Sequence, residues 1–580
     1  MNVTRKAQKL RQGKWSRYKY HLTTNIGENG MRLSGSAAHI ALSRKVATEG
    51  MVLLENNGIL PLKEGTTVAL FGVGTLEYIK GGGGSGQVYP AYVRNVYEGF
   101  QTKAPKIKIF EPLSQFYYDY AAPRVDALDR KEILPEPPIP STLMAEAAAN
   151  ADVAVILIHR YSGEGWDRSS QKGDFYLTDA EQTLVTEVTE AFPHSVAVLD
   201  VGGMVDVSWF KENPRIDAAL LAWQAGMEGG LAIADILCGD ANPSGKLVDT
   251  FAKAFRDYPS AETFQESRDY VEYYEDIYVG YRYFETIPGA AEKVNYPFGY
   301  GLSYTTFAFG KPVATEEQGE IRVTVSVTNT GKVDGREVAQ VYFSAPQGLL
   351  GKSAVALAGF QKTKLLAPGE TEAISITFPV EQMASYDDLG KCRMSAYVLE
   401  QGEYRFLVGN SCRNLQECDY RYSVPEAFRV TRQLQQRCAP NLIGKRMRSD
   451  GSFEALPSFP VTQTRVVPPA NTATLPKTEN PIRFIEVANG TITLEQFMSQ
   501  MTDRELVDTV CGIPTRGLTT TSGWGGNERL GIPGIMTADG PAGVRLLPLF
   551  RGTGYDQRQR TIPDFGSEVY IIEEADHEEP

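Results

Sequence analysis

The chain has 580 residues, of which 42% are hydrophobic, and its 58 Lys and Arg against 71 Asp and Glu give a net charge of −13. That length predicts about four domains, and the apolar content is sufficient for several hydrophobic cores. The acidic balance provides no broad basic field, so it argues against nucleic acid and anionic lipid as partners and favours a small neutral substrate.

Residues 1–34 are predicted to be an N-terminal extension. The segment is basic but lacks the apolar stretch of a secretory signal, and no part of the chain reaches the roughly 18 apolar residues of a membrane span. We therefore expect a cytoplasmic protein. The six cysteines are scattered, without a CxxC pair or a nearby His. This pattern argues against zinc and against a disulfide scaffold, and free thiols are the favoured interpretation even for Cys412 and Cys418.

Residues 35–260 are predicted to form an α/β sandwich domain. Short apolar runs alternate there with stretches of helical periodicity such as 178–191. The apolar runs are 68–73, 153–158, 196–201 and 218–223. Runs that are apolar on both faces and separated by helices are typical of a mostly parallel sheet.

A glycine run at residues 81–86, GGGGSG, resembles a phosphate-binding loop at first sight. No Lys-Ser or Lys-Thr follows it, and the preceding residues 72–77 lack the third glycine of a dinucleotide fingerprint. A nucleotide-binding α/β protein is therefore disfavoured. We interpret the run as a flexible rim element.

A connecting segment, 261–319, leads to a region with a hydrophobic period of two at 320–425. Three stretches alternate apolar with polar residues. Their apolar members are Ile321, Val323, Val325 and Val327, then Ile374, Ile376 and Phe378, then Tyr404, Phe406 and Val408. Strands of this kind, separated by turn signals, predict a small antiparallel β-sandwich.

Residues 426–488 are poor in periodicity and rich in Pro, Thr, Arg and Gln, which predicts a linker lying over other domains. Helical signals return after it. Thr493 with Gln496, and Thr502 with Glu505, each have the spacing of a capping box.

A strand at 534–538 follows these helices, with Asp539 at its carboxyl end. A (β/α)8 barrel presents binding residues to its active-site face from the carboxyl ends of strands. We therefore predict that residues 489–580 are the start of such a barrel and are incomplete.

Six segments of the chain form an ordered set of motifs. They are HIALSRKVATEGMVLLENNGILPL (39–62), SGEGWDR (162–168), AGMEGGLAIADILCGDANPSGKL (225–247), VGYRYF (279–284), YPFGYGLSYTTF (296–307) and ADGPAGVR (538–545). Together they resemble glycoside hydrolase family 3, the β-glucosidase family. The resemblance implies an α/β sandwich, then a fibronectin type III-like domain, then the barrel, which is the rearranged domain order known from one subset of the family.

The motif SGEGWDR contains the candidate acid. Retaining glycosidases use two carboxyls about 5–5.5 Å apart, one as nucleophile and one that protonates the leaving oxygen and later activates water. Glu164 stands between two glycines just after the apolar run 153–158, and ligands of open α/β sheets bind beyond strand carboxyl ends. In the family this loop reaches the barrel mouth, so the resemblance implies that Glu164 is the general acid/base. An exposed loop glutamate without a role is the alternative.

Three residues that follow Glu164 in the motif could also have a role in the site. Trp166 either packs against a sugar ring or buries the loop, and the sequence does not separate these interpretations. Asp167 and Arg168 are predicted to anchor the loop by hydrogen bonds to neighbours, without taking part in the chemistry.

Asp539 precedes a Gly-Pro turn, and turn formation alone would account for it. In the family, the Asp of this motif accepts hydroxyl hydrogen bonds from the sugar in the nonreducing-end subsite, and the resemblance implies the same role for Asp539. Arg545 either hydrogen-bonds a hydroxyl or holds Asp539 in place.

The chain departs from the family pattern at the nucleophile. An Asp in an SDW-like motif on a later barrel strand, and a Lys-His pair ahead of it, are absent. The nearest match, at 449–451, lies in the predicted linker. We therefore expect negligible turnover by the chain alone. Either the chain is a fragment, or a partner chain or second copy completes the barrel, and the sequence does not choose.

Two hypotheses remain after the nucleotide-binding one is set aside. The resemblance favours a β-glucosidase that acts with retention at the nonreducing ends of small β-glucosides or oligosaccharides, in carbohydrate metabolism. The missing nucleophile favours a noncatalytic carbohydrate-binding or scaffold remnant. The glycosidase chemistry requires no metal and no organic cofactor. We expect no nucleic acid or membrane partner.

Overall fold

A computed structural model describes residues 36–83, 92–125, 132–163, 165, 167–264, 267–434, 444–457, 480–510 and 522–537. The α/β domain contains a six-stranded sheet. Its strands are β1 Val52–Asn56, β2 Thr67–Phe71, β3 Lys108–Ile109, β4 Val153–Arg160, β5 Ser195–Val201 and β6 Ile216–Leu221. The order across the sheet is β1-β6-β5-β4-β2-β3. Neighbours run parallel except β1, which is antiparallel to β6. The predicted mostly parallel sheet is confirmed.

Seven helices accompany this sheet in the described segments. They are α1 Ala37–Gly50, α2 Val96–Gln101, α3 Glu111–Ala121, α4 Ser141–Asn150, α5 Asp179–Ala191, α6 Ser208–Lys211 and α7 Gly229–Leu237. The helix predicted at 178–191 is α5, which begins with a capping box between Thr178 and Glu181. Every residue of β4, β5 and β6 is buried, because both faces of the sheet are covered.

The connecting segment contributes β7 Phe251–Ala252, α8 Tyr281–Phe284 and β8 Val294–Tyr296, with β7 and β8 paired antiparallel. The sandwich follows. Its strands are β9 Phe307–Phe309, β10 Val313–Glu317, β11 Glu320–Asn329, β12 Val338–Ser344, β13 Ala356–Lys362, β14 Thr371–Pro379, β15 Ser385–Asp387, β16 Ala396–Gly409 and β17 Leu415–Gln433. One sheet is β10-β11-β14 with β9 on β11, and the other is β13-β12-β16-β15 with β17 on β16. The predicted inward-facing residues on β11, β14 and β16 are all buried, which confirms the period-two prediction.

The predicted linker, 426–488, contains regular structure in each of its three described parts, the last of which includes the helix at Phe484–Ala488. Strand β17 continues to Gln433, past the predicted domain end at 425, because it pairs along the edge of the long strand β16. Further on, β18 Lys445–Met447 and β19 Phe453–Ala455 form a hairpin. The amide of Met447 donates to the carbonyl of Tyr274 in the connecting segment, so this part does lie over another region.

The last described unit contains α9 Phe484–Ala488, α10 Leu494–Met498, α11 Asp503–Val510, β20 Ser522–Asn527 and β21 Ile532–Thr537. Both predicted capping boxes are present, at Thr493 and at Thr502. The predicted strand exists as β21, but it pairs antiparallel with β20 in a two-stranded sheet. A strand of a (β/α)8 barrel has parallel neighbours. The predicted barrel is therefore not confirmed by the described residues.

Among the helices of these described segments, none combines the length and apolar character needed to cross a membrane.

Candidate active site

The candidate site lies at the carboxyl edge of the parallel strands, where the segments after β2, β4, β5 and β6 meet. The motif SGEGWDR follows β4 directly. Glu164 and Trp166 lie outside the described residues, whereas the flanking Gly163 and Gly165 are described. Gly165 has a φ of 80°, a conformation that favours glycine over residues with a side chain. The structure thus places the loop where open α/β sheets bind ligands.

The glycine run contacts this loop. The amide of Gly83 donates to the carbonyl of Ser162 at 2.9 Å, and Gly83 forms a parallel bridge with Gly163. A side chain at Gly82 would not fit, because its Cβ would lie 2.7 Å from the carbonyl oxygen of Ser162. The described glycines of the run therefore line the loop and allow close backbone approach.

Arg160, the last residue of β4, holds the far end of the loop. Its buried guanidinium donates to both carboxylate oxygens of Glu181, at 2.6 and 2.7 Å, and its Nε donates to the carbonyl of Asp174 at 3.0 Å. Arg168 donates to the Asp174 carboxylate at 2.6 Å. The predicted anchoring role of Arg168 is confirmed, and the anchoring role of Arg160 was not predicted. Asp167, which was predicted to share this role, is exposed and makes no hydrogen bond to the residues that the structure describes.

Two acids with buried carboxyls, Asp200 and Glu136, accept hydrogen bonds from backbone amides of the segment that follows β2. Asp200, near the end of β5, is completely buried and accepts the amide of Ile79 at 2.8 Å. Burial raises the pKa of Asp200 well above its usual value. Sequence reasoning missed both acids. For Asp200 the visible signal is a single charged side chain near the end of an otherwise apolar run.

Glu136 is the second of these acids. It accepts the hydroxyl of Tyr117 at 2.6 Å and the amide of Val73 at 2.9 Å. Burial raises the pKa of Glu136 to about 7, because the charged form is poorly solvated, and these two hydrogen bonds only partly oppose the shift.

This raised pKa leads to a pH-dependence prediction. A carboxyl whose pKa is higher in the folded state stabilises the fold below its unfolded pKa, and the stabilisation is lost as pH rises through the folded pKa. The unfolding free energy of the wild type should fall between pH 4.5 and 8 as Glu136 ionises. We expect the fall over this range to be about 2 to 4 kcal/mol smaller in Glu136→Gln. Urea denaturation across that pH range measures the slope. Parallel profiles for the two proteins would show that Glu136 is already ionised in the fold.

The remaining predicted site residues, Asp539 and Arg545, lie outside the described residues. Strand β21 ends at Thr537, two residues before Asp539. Because Glu164 and Asp539 both lie outside the described residues, the distance between them is not defined, and their proximity stays a prediction. Across the residues that the structure does describe, no cluster of three or more His, Cys, Asp or Glu side chains could hold a metal ion.

Comparison with known proteins identifies the family of the chain. Residues 51–304 match the model of the glycosyl hydrolase family 3 C-terminal domain, and residues 337–412 match the fibronectin type III-like domain. Beta-glucosidase A of Butyrivibrio fibrisolvens is 45% identical to the chain, over 92% of the chain and 72% of that protein. The chain belongs to glycoside hydrolase family 3. The predicted family is confirmed, as is the order of an α/β domain followed by a fibronectin-like sandwich.

Other family 3 proteins extend well beyond the chain. A beta-glucosidase of Ruminococcus albus is 37% identical, over 88% of the chain and 55% of that protein. The crystal structure of a Paenibacillus barengoltzii β-glucosidase superposes with a TM-score of 0.79 at 37% identity, covering 88% of the chain and 58% of that structure. Beta-glucosidase 3B of Thermotoga neapolitana, in complex with glucose, has a TM-score of 0.63 at 38% identity, over 69% and 56% of the two chains. The chain thus spans little more than half the length of these three relatives.

Proposed function

We propose that the chain supplies the acid/base carboxyl of a retaining β-glucosidase, with Glu164 in that role. The observation that carries the proposal is the motif SGEGWDR, which follows β4 at the carboxyl edge of the sheet in a chain 45% identical to a β-glucosidase. Glycosidic bonds at the nonreducing ends of small β-glucosides or oligosaccharides are the proposed substrates.

The proposed reaction has two steps. A carboxylate attacks the anomeric carbon while Glu164 donates its proton to the leaving oxygen, which leaves a glycosyl-enzyme ester. Glu164 then accepts a proton from the water that attacks this ester, and the sugar departs with its original configuration. The nucleophile motif does not occur within residues 1–580. The proposal therefore assigns the nucleophile to polypeptide outside these residues, either a further segment or a partner chain.

Asp539 is proposed to accept hydroxyl hydrogen bonds from the nonreducing-end sugar. Trp166 and Arg545 keep their two interpretations each: Trp166 as a platform for a sugar ring or as packing for the loop, and Arg545 as a hydroxyl ligand or as a support for Asp539. A cytoplasmic location also belongs to the proposal. The cysteines of the described segments are free thiols, as a reducing compartment would leave them.

The test is hydrolysis of a chromogenic aryl β-glucoside by the purified chain, alongside the matching α-glucoside and β-xyloside. Turnover of the β-glucoside by the purified chain, reduced by Asp539→Ala, would support the role of Asp539 but contradict a nucleophile outside residues 1–580. No turnover, combined with activity after addition of polypeptide carrying the nucleophile segment, would support a shared active site. Selective hydrolysis of the α-glucoside would contradict the proposal.

A noncatalytic carbohydrate-binding or scaffold protein is the second candidate function. The absence of the family nucleophile motif from residues 1–580 favours it. Calorimetric titration with glucose and cellobiose separates the two candidates. Sugar binding that persists when no added polypeptide restores turnover would indicate the binding function.

A further inference from the structure

Ser162, two residues before Glu164, is held from three directions. Its hydroxyl donates to the side-chain oxygen of Gln224 at 3.0 Å. Its carbonyl accepts the amide of Gly83 at 2.9 Å. On a third side, a Cβ built on Gly202 would lie 1.8 Å from the Ser162 hydroxyl oxygen. Any residue larger than glycine at position 202 would therefore clash with the Ser162 hydroxyl.

Gln224 contacts the loop through both ends of its amide. Besides accepting from Ser162, its nitrogen donates to the carbonyl of Arg160 at 3.3 Å. The preceding residue, Trp223, has a φ of 57°, a conformation that is uncommon and unfavourable for a residue with a side chain. The segment after β6 thus adopts a strained conformation at the position that turns Gln224 toward the loop.

The neighbouring backbone is fixed as well. The amide of Ala225 donates to the Tyr78 hydroxyl at 3.0 Å. The amide of Gly226 donates to the carbonyl of Lys80 at 2.8 Å. The residues that follow Gln224, and Ser162 itself through Gly83, are therefore hydrogen-bonded to the segment after β2. These bonds fix the backbone next to Gln224 while its side chain holds the loop.

We propose that Gln224 and Ser162 are positioning residues that hold the loop carrying Glu164 at the sheet edge. The inference rests on the proposed acid/base role of Glu164. Neither side chain takes part in the chemistry. Their hydrogen bonds restrict the loop, so that the carboxyl two residues further on is presented in one geometry, and efficient proton transfer depends on such geometry.

Hydrogen exchange of the purified chain tests the restraint without any need for turnover. Gln224→Leu keeps an apolar side chain of similar bulk but removes both contacts, and we expect amides 163–168 to exchange about tenfold faster. Gln224→Glu keeps an acceptor for Ser162 but loses the donor to the Arg160 carbonyl, so its exchange rate should lie between those of the wild type and Gln224→Leu. Gln182→Leu, on the exposed face of α5, is the matched control. The amides of β4 and β5 should be unchanged in all variants, which excludes global unfolding.

Kinetics on an aryl β-glucoside test the consequence for Glu164. We expect Gln224→Leu to lower kcat about tenfold with KM nearly unchanged. In a Glu164→Gln background the same change should cost less than twofold, because the group that it positions is already lost. Full additivity of the two losses would overturn the positioning role.

The two readouts separate failure of this inference from failure of the proposed function. Unchanged exchange of amides 163–168 in Gln224→Leu overturns the restraint, whatever the activity. An inactive wild-type chain agrees with a nucleophile outside residues 1–580, whereas turnover that Glu164→Gln leaves unchanged would count against the proposed function. In either case the exchange comparison still decides whether Gln224 restrains the loop.

Discussion

Replacement of Glu164 by Gln is expected to lower kcat/KM for an alkyl β-glucoside about 10²- to 10⁴-fold, measured with whichever form of the protein turns over. General acid and base assistance contributes a factor of this size. The amide has nearly the shape of the carboxyl but cannot release a proton to the leaving oxygen or accept one from water. Steady-state hydrolysis of methyl and cellobiosyl substrates measures the loss.

The leaving group gives this prediction its sharpest form. A dinitrophenolate departs without protonation, so the first step with a dinitrophenyl β-glucoside should be much less affected by Glu164→Gln, and the glycosyl-enzyme should accumulate. Asp167→Asn is the matched control, because Asp167 is an exposed carboxylate of the same loop. Equal losses for alkyl and dinitrophenyl glucosides would indicate that Glu164 does not act as the acid.

The parts of the fold that followed from the sequence are those with local signals. The fully apolar run in β4 and the alternation in β11 each report how many faces of a strand are buried, and burial sets both patterns. Strand β17 was missed past residue 425 because its final residues are mostly exposed on both faces and show no alternation. Strand β21 was found, but its partner β20, SGWGGN, has no strand-like pattern, so the pairing was invisible.

In the candidate site, too, only the features with a local sequence signal could be predicted. The motif that carries Glu164 is contiguous, so the sequence reveals it. The residues that hold the loop follow other strands: Gln224 after β6, Gly202 after β5 and Gly83 after β2. An isolated Gln or Gly has many structural uses. The roles of these three arise only from contacts with Ser162, which lies 62, 40 and 79 positions away from them in sequence, respectively.

Arg160→Met is expected to destabilise the α/β domain by about 3 to 5 kcal/mol. Methionine approximates the length and apolar stem of arginine, but it leaves the Glu181 carboxylate buried without its cation. The side chains of Arg160 and Glu181 are 3% and 8% exposed. Urea denaturation, with hydrogen exchange of β4 and β5 to identify the domain, measures the change.

Two companion variants test the reason for that loss. Lys172→Met removes an exposed ion pair with Asp179 and should cost less than about 1 kcal/mol. Glu181→Leu added to Arg160→Met should recover part of the stability, because it removes the unpaired buried charge. A double variant no more stable than Arg160→Met would show that the lost carbonyl contacts of Arg160, together with the lost capping-box bond from Thr178 to Glu181, outweigh removal of the buried charge.

The pH dependence supplies a further check on the same pair. Burial by itself raises the pKa of Glu181, but the hydrogen bonds and charge of Arg160 outweigh that effect and hold the pKa below its usual value. A depressed pKa stabilises the fold above the unfolded pKa, and this stabilisation is lost as pH falls through the folded pKa. The stability difference between wild type and Arg160→Met should therefore narrow in acid. Arg160 also anchors Asp174, and through it the loop that carries Glu164. Of these variants, the one with the lowest free energy of unfolding should therefore also show the fastest hydrogen exchange of the loop amides at neutral pH.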